Sequence, residues 1–160
     1  MRPEKFTLKA QEALQDSQAI ARRRNHQSLE PEHLALALLD QKEGIALPLL
    51  QKVGADPGLL RSRLEDELNK LPSVEGGQAY LSQRLLKLLD RAEDEAKRLK
   101  DEYVSTEHLL VAMAGEKSGA GEALKSLGAN RDRLLAALKD VRGGARVTSQ
   151  EAEEDRKSVV

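Results

Sequence analysis

Apolar residues recur along this chain at helical spacing and predict a succession of short helices. In residues 7–24 one face carries Ala10 and Leu14, at the interval that marks an amphipathic helix. Thr7 stands before this face as an N-cap residue, and the basic residues 22–24 suit the negative end of the helix dipole. The chain is therefore predicted to open with a helix.

Seven further helices are predicted from the same periodicity and from residues that start or stop helices. Proline at a first helical position, a polar N-cap such as Asp56 or Ser82, and glycine after the last turn set the boundaries. The predicted helices cover about 31–41, 47–53, 57–71, 82–99, 105–114, 122–127 and 131–141. Residues 72–81 include a proline and two glycines and are predicted to form a loop.

The helical pattern occurs twice. Residues 28–39 read SLEPEHLALALL and residues 103–114 read YVSTEHLLVAMA, so that His33 aligns with His108. We call this offset of 75 positions the first register. In the last part of each half the offset is 74 positions, which we call the second register, and it aligns Gly54 with Gly128. We predict an all-α fold of eight helices, built as two four-helix repeats that pack about a pseudo-twofold axis into one globular domain.

The predicted domain covers residues 1–145, with repeat 1 at about 6–71 and repeat 2 at about 81–141. Residues 146–160 carry mixed charges and no apolar stripe, a composition typical of a flexible linker. Such a segment buries too little apolar surface to offset the entropy lost on ordering, so we expect it to be mobile.

Composition narrows the possible functions. The chain has 160 residues, no cysteine and a formal net charge of −1. Disulfides, thiolate metal sites and cysteine nucleophiles are excluded, and no overall charge attracts nucleic acid or anionic lipid. No apolar run approaches the roughly 18 residues of a membrane span. We expect a cytoplasmic protein with no nucleic-acid or membrane partner.

Candidate catalytic motifs have simpler explanations. GEKSGAG at 115–121 lacks the Gly-Lys-Ser order and the preceding strand of a phosphate-binding loop. His33 and His108 lack the further ligands of a metal site, which favours packing or local hydrogen bonding. The basic residues 22–24 have no interleaved aromatic residues for base stacking. We expect a monomeric binding domain without a catalytic or metal site.

Some aligned positions are apolar in one repeat and polar in the other. The fold shared by the two repeats does not require an apolar side chain at these positions. Leu8 aligns with Gln83, Ile20 with Glu95, and Leu86 with Gln11. At 100° per residue, these apolar side chains lie about 100–120° from the main stripes of their helices. They could line an exposed apolar groove, and the alternative is packing between the two repeats.

Several phrases resemble the N-terminal domain of the Clp family of AAA+ unfoldases. They are FTLKAQEAL, EPEHLALALL, LPSVEG, STEHLLVA and VRGG, and two of them, LPSVEG and VRGG, are most similar to the ClpB-type protein disaggregases. The resemblance covers residues 1 to about 145. It implies a domain that binds unfolded or aggregated polypeptides and delivers them to a hexameric threading motor. The linker would connect the domain to that motor, which is not part of these 160 residues.

The resemblance also implies site residues and partners. Three polar positions that engage substrate in the family correspond to Thr7, Asp101 and Glu107, beside a hydrophobic groove. The full-length protein would form a homohexamer, bind ATP and magnesium, and work with a DnaK-type chaperone system, whereas this fragment needs no cofactor. One alternative is the adaptor-docking domain of a protease-linked Clp unfoldase. Another is a free-standing regulator or nucleic-acid binder.

Overall fold

The computed structural model describes residues 2–77 and 79–153, so residues 154–160 of the predicted linker lie outside the described residues. Within these ranges the chain forms eight α-helices, one 3₁₀-helix and two very short strands, which confirms the predicted all-α fold. The elements are a 3₁₀-helix (Pro3–Lys5), α1 (Leu8–Arg23), β1 (Ser28–Leu29), α2 (Pro31–Asp40), α3 (Ala46–Lys52), α4 (Pro57–Leu68), β2 (Tyr80–Leu81), α5 (Gln83–Arg98), α6 (Thr106–Ala114), α7 (Ala120–Ser126) and α8 (Arg131–Arg142).

Polar caps set the starts of the helices. The hydroxyl of Thr7 accepts a hydrogen bond from the N–H of Ala10 at 3.1 Å, and the hydroxyl of Ser82 accepts one from Leu85 at 3.1 Å. Asp56 caps α4 in a similar way. Each bond satisfies a backbone donor that has no partner inside its helix. The helix boundaries lie close to those predicted, with the largest difference at the end of α4.

The two central helices, α2 and α6, form the core. All residues of Pro31–Leu39 and of Thr106–Ala114 are buried. The two helices contact each other, while α1 packs on α2 and α5 packs on α6. A helix that is apolar on all sides must be covered on all sides. The two similar segments of the sequence therefore lie back to back inside the domain.

The repeats exchange extended segments at their boundary. Leu29 of repeat 1 pairs in parallel with Leu81 of repeat 2, and Phe6 of repeat 1 pairs in parallel with Val104 of repeat 2. The first register converts one pair into the other, since it relates position 6 to 81 and position 29 to 104. This reciprocal pairing is the pseudo-twofold relation at the level of single residues.

Backbone hydrogen bonds follow the same exchange. The N–H of Thr7 donates to the carbonyl of Val104 at 2.9 Å, and the N–H of Ser82 donates to the carbonyl of Leu29 at 3.1 Å. The first helix of each repeat thus begins at a residue bonded to the other repeat. Residues 80–81, predicted as the end of a loop, form β2 because their partner lies in the other repeat, outside the reach of a local pattern.

The segment 146–153, predicted as part of a flexible linker, lies against the domain in this structure. Val147 and Glu153 are buried, and the N–H of Leu8 donates to the carbonyl of Gln150 at 2.9 Å. This segment has no regular helix before residue 152 and buries the single side chains of Val147 and Glu153 instead of one helical face. That is why its sequence shows no apolar stripe.

An ion pair between Glu32 of α2 and Arg84 of α5 joins the two repeats. The guanidinium donates to Glu32 at 2.7 and 3.2 Å and to Glu116 at 2.6 Å. Glu32 Oε2 also accepts from the N–H of Ala120 at 2.7 Å. Gly119 has a φ of 57°, and a Cβ added there would clash with Glu32 Oε2. Glycine is therefore required both by the backbone conformation and by the close approach of Glu32.

We predict that Gly119→Ala lowers the free energy of unfolding by at least about 2 kcal/mol, because strain at positive φ is added to displacement of Glu32. Gly143→Ala is the matched control, since Gly143 has a φ of 59° but no atom within 4 Å of the added Cβ. The control should lose only about 1 kcal/mol. Urea unfolding of both variants measures the difference, and equal losses would contradict the prediction.

Candidate functional site

The three polar positions implied by the resemblance, Thr7, Asp101 and Glu107, lie in a buried region between the starts of α1 and α6. Thr7 and Glu107 are completely buried, and Asp101 is nearly so. Thr7 is the N-cap of α1, and Glu107 lies in the first turn of α6. All three side chains bind other parts of the same chain in this structure.

Arg142, the last residue of α8, supplies the positive charge of this region. Its Nη1 donates to Glu107 at 2.6 Å and to Asp101 at 2.8 Å, and its Nη2 donates to Asp101 at 2.7 Å. The guanidinium is itself buried. Two carboxylates in a buried position are tolerated only when they are paired and hydrogen-bonded. Arg142 was missed as a site residue because its role depends on tertiary contacts.

Asp101 has two further partners, His108 and Val147. The N–H of Ser105 donates to Nδ1 of His108 at 2.8 Å, so Nε2 carries the proton that His108 donates to Asp101 at 2.7 Å. The N–H of Val147 donates to Asp101 Oδ1 at 2.9 Å. Burial alone would raise the pKa of Asp101, but the bonds from His108, Arg142 and Val147 outweigh it and hold that pKa well below its usual range.

The equivalent position in repeat 1 holds a second histidine. Nδ1 of His33 accepts from the N–H of Glu30 at 2.9 Å, which leaves Nε2–H to donate to Nδ1 of His26 at 2.8 Å. The first register places His26 on Asp101, so the two repeats use the same geometry with different chemistry. The predicted local hydrogen bonding of His33 and His108 is confirmed. His26 was passed over, although the repeat alignment pointed to it.

Glu153 bridges the starts of α1 and α6. Its carboxylate accepts from the hydroxyls of Thr7 and Thr106 and from the N–H of Thr106 at 3.0 Å. Thr106 is the first residue of α6, so the carboxylate lies at the positive end of the helix dipole. Burial raises the pKa of Glu153, and the threonine hydrogen bonds oppose that rise only in part. Glu153 was missed because it falls in the predicted linker.

We call the space between the starts of α1 and α6 the α1–α6 cleft. It is bounded by Thr7, Leu8, Asp101 and Thr106, and the segment Val147–Glu153 occupies it. The cleft binds this segment of polypeptide through backbone hydrogen bonds as well as through side chains. The polar positions implied by the resemblance lie at this cleft.

The three apolar candidates have different environments. Leu8 is 43% exposed beside the α1–α6 cleft, Leu86 on α5 is half-buried, and Ile20 is only 6% exposed. Leu8 and Leu86 are accessible to a ligand. Ile20 packs in the core, which corrects its assignment to an exposed groove. The pocket that it lines is formed by residues of repeat 1, such as Leu36 and Glu65.

The two repeats differ at Ile20 because an ion pair in repeat 2 has no counterpart in repeat 1. Glu95, which aligns with Ile20, accepts two hydrogen bonds of 2.7 Å from Arg131 at the start of α8. Arg131 aligns with Pro57 in the second register. Proline cannot pair with a carboxylate, so an apolar side chain takes the place of Glu95.

The described part of the chain contains neither a metal-ligand cluster nor a membrane-spanning helix. Among residues 2–77 and 79–153, no group of three or more histidine and acidic side chains is placed to hold a metal ion. Over the same ranges, no helix has both the length and the apolar content needed to span a bilayer.

Comparison with known proteins identifies the family. The family model for the Clp repeat (R) N-terminal domain matches residues 5–127, well over half of the chain. The chain belongs to the Clp N-terminal domain family. The matched family is an N-terminal domain and not an ATPase module, in agreement with the predicted binding role.

Relatives and solved structures refine this assignment. The chaperone protein ClpB of Porphyromonas gingivalis is 41% identical to this Clp N-terminal domain over 149 residues, which are 93% of this chain and 17% of that protein. The chain therefore spans less than a fifth of the curated ClpB relatives it matches. The predicted resemblance to ClpB-type N-terminal domains is confirmed.

Two solved structures share the fold. The Hsp104 N-terminal domain from Candida albicans has a TM-score of 0.81 and 22% identity, covering 94% of this chain and 99% of that one. A complex of the ClpV N-domain with a VipB peptide has a TM-score of 0.68 and 16% identity, covering 84% of this chain and 85% of that one. Identities this low establish the common fold alone.

We predict that Arg142→Gln lowers the free energy of unfolding by about 3–5 kcal/mol, because the buried carboxylates of Asp101 and Glu107 lose the guanidinium that pairs with them. Arg98→Gln is the control. Arg98 is 66% exposed, and its partner Glu95 retains Arg131. The control should lose less than about 1 kcal/mol. Thermal and urea unfolding at neutral pH compare the variants, and similar losses would refute the role given to Arg142.

We also predict acid sensitivity from the two histidines of repeat 1. Burial, followed by the charges of His26 and Arg24, lowers the pKa of His33 to about 4, and burial lowers the pKa of His26. Between pH 6.5 and pH 4, His33 therefore binds more protons in the unfolded chain than in the folded chain. The free energy of unfolding should fall as the pH is lowered through this window, by up to about 3 kcal/mol from His33.

The variant His26→Asp tests this prediction, because it reproduces the carboxylate–imidazole pair found in repeat 2. A carboxylate beside His33 favours its protonated form, so the loss of stability on acidification through this window should largely disappear. Urea unfolding across the same pH range gives the two curves. The difference between them isolates the histidine pair from the other titrating groups, and parallel curves would contradict the prediction.

Proposed function

We propose that this chain is the polypeptide-binding N-terminal domain of a ClpB-type protein disaggregase. The observation that carries the proposal is the α1–α6 cleft, which holds the segment Val147–Glu153 of the chain partly through backbone hydrogen bonds. The similarity to ClpB chaperones supports it, and so does the VipB peptide bound by a ClpV N-domain of the same fold.

In the proposed mode of binding, polar groups orient the substrate backbone and apolar groups supply contact area. Asp101 accepts from the backbone N–H of Val147, a contact that does not depend on the side chain of the bound residue. Thr7 and Glu107, with Asp101, would orient a substrate backbone at the cleft. Leu8 would add apolar contact at the cleft, and Leu86 would add it on a separate surface at the start of α5, whose residues bond to Leu29 and Glu32. Apolar contact tolerates many sequences. Ordering a disordered partner removes much of the gain, so affinity is expected to be micromolar or weaker.

The remaining functions are assigned to the longer protein. We propose that residues 1–145, with the segment 146–153 packed against them, form the folded domain, and that the chain beyond leads to an ATPase module. That module would bind ATP and magnesium, assemble as a homohexamer and act with a DnaK-type chaperone system in the cytoplasm. Unfolded or aggregated polypeptides would reach its pore from this domain.

Adaptor docking is the second candidate function, as in protease-linked Clp unfoldases. The observation that favours it is the ClpV N-domain complex, in which a fold of this type binds a VipB peptide. An adaptor-docking domain would bind one specific protein, whereas a substrate-binding domain would bind many unfolded chains.

We predict that the domain binds reduced, carboxymethylated α-lactalbumin, a permanently unfolded protein, and that Leu8→Ser and Leu86→Ser each weaken binding about fivefold through lost apolar contact. Leu59→Ser is the control, since Leu59 is 52% exposed on α4. Chemical-shift titration of the three folded variants measures affinity. Equal binding by all three would place the contact surface elsewhere, and no binding by the parent would favour adaptor docking.

A further inference from the structure

The segment Val147–Glu153 is held in the α1–α6 cleft as a bound peptide would be. Four hydrogen bonds between the segment and the cleft involve backbone groups. At Val147 the carbonyl accepts from the N–H of Glu102 at 2.8 Å, and the N–H donates to Asp101 Oδ1 at 2.9 Å. Further along, the carbonyl of Gln150 accepts from the N–H of Leu8 at 2.9 Å, and Glu153 Oε1 accepts from the N–H of Thr106 at 3.0 Å. Leu8 and Thr106 begin their helices, so their N–H groups have no acceptor within the helix. Any extended chain with suitably placed oxygens could satisfy the same donors.

Two side chains anchor the segment. Val147 is fully buried, and further along the segment Glu153 places its carboxylate between the hydroxyls of Thr7 and Thr106. Glu151, between the two anchors, is exposed. The cleft therefore recognises an apolar residue followed six positions later by an acidic residue, with an extended or turning backbone between the two.

The repeat alignment shows that the fold itself does not need this cleft. Thr106 aligns with Pro31, which has no N–H to offer, and Asp101 aligns with His26. Arg142 at the end of α8 aligns with Leu68 at the end of α4. Repeat 1 completes the same four-helix unit without these groups. Asp101, Thr106 and Arg142 are thus features of repeat 2 without a counterpart in repeat 1, whereas Thr7 and Leu8 of the cleft come from repeat 1.

We infer that the α1–α6 cleft is a binding site for a polypeptide segment that carries an acidic residue, and that Val147–Glu153 is its resident occupant. Another polypeptide enters only when this segment leaves. Competition between the segment and a substrate polypeptide rests on the proposed function. Occupancy of the cleft by the segment does not rest on it.

Tethering explains why the resident segment is an effective competitor. A segment joined to its site by a few residues acts at a millimolar effective concentration. The apparent affinity of a free polypeptide is then reduced by the fraction of molecules whose cleft is open. Variants that release the segment should therefore bind free polypeptide more tightly, even though they lose contacts.

The test uses the full 160-residue chain and two probes. Glu153→Ala removes the anchor, and Glu151→Ala is the matched control in the same segment. The first probe is the amidated peptide ARVTSQEAE, with the sequence of residues 145–153, followed at the amide signals of Leu8 and Thr106. The peptide should bind Glu153→Ala at least about fivefold more tightly than it binds the parent or the control.

The second probe is reduced, carboxymethylated α-lactalbumin, which should show the same order of affinities. Val147→Ser, which removes the apolar anchor and keeps the carboxylate, is a second releasing variant and should behave like Glu153→Ala. Equal binding of the peptide to the parent, both releasing variants and the control would overturn resident occupancy. Equal binding of the unfolded protein alone would overturn the competition. Failure of the unfolded protein to bind any variant would count against the proposed function, while the peptide still decides occupancy.

Discussion

The reciprocal pairing of Phe6 with Val104 and of Leu29 with Leu81 is the constraint on which this domain depends. A unit of four short helices buries too small a fraction of its surface to be stable alone. The residue before the first helix of each repeat therefore pairs with the other repeat. Phe6, before α1, pairs with Val104, and Leu81, before α5, pairs with Leu29. The two central helices then cover one another, and the outer helices follow from their own apolar faces.

Symmetry of this kind fixes the backbone but leaves the chemistry free. The same position holds His26 in one repeat and Asp101 in the other, and the partner histidine keeps its geometry in both. Repeat 2 carries a charge at this place, and Arg142 balances it. Two copies of one backbone arrangement can thus differ in the polar groups that they hold at the same position.

The sequence predicted those features that arise from local patterns. Eight helices and their caps follow from spacing within a few residues, and the repeat follows from comparing the chain with itself. Tertiary contacts were less accessible. Arg142 and Glu153 act through partners 35 to 146 positions away, so no local pattern marks them. Ile20 was misassigned because an ion pair in the other repeat, and not an exposed groove, caused the asymmetry.

The exchange between repeats also governs when this domain can fold during synthesis. Phe6 is made early, yet its partner Val104 is made only after most of the domain has been synthesised. At ribosomal rates this delay is about 5–20 s, far longer than the time in which helices form. During that interval the first repeat has helices but no partner for its N-terminal residues. Its apolar surfaces stay open to the chaperones that meet nascent chains until the second repeat emerges.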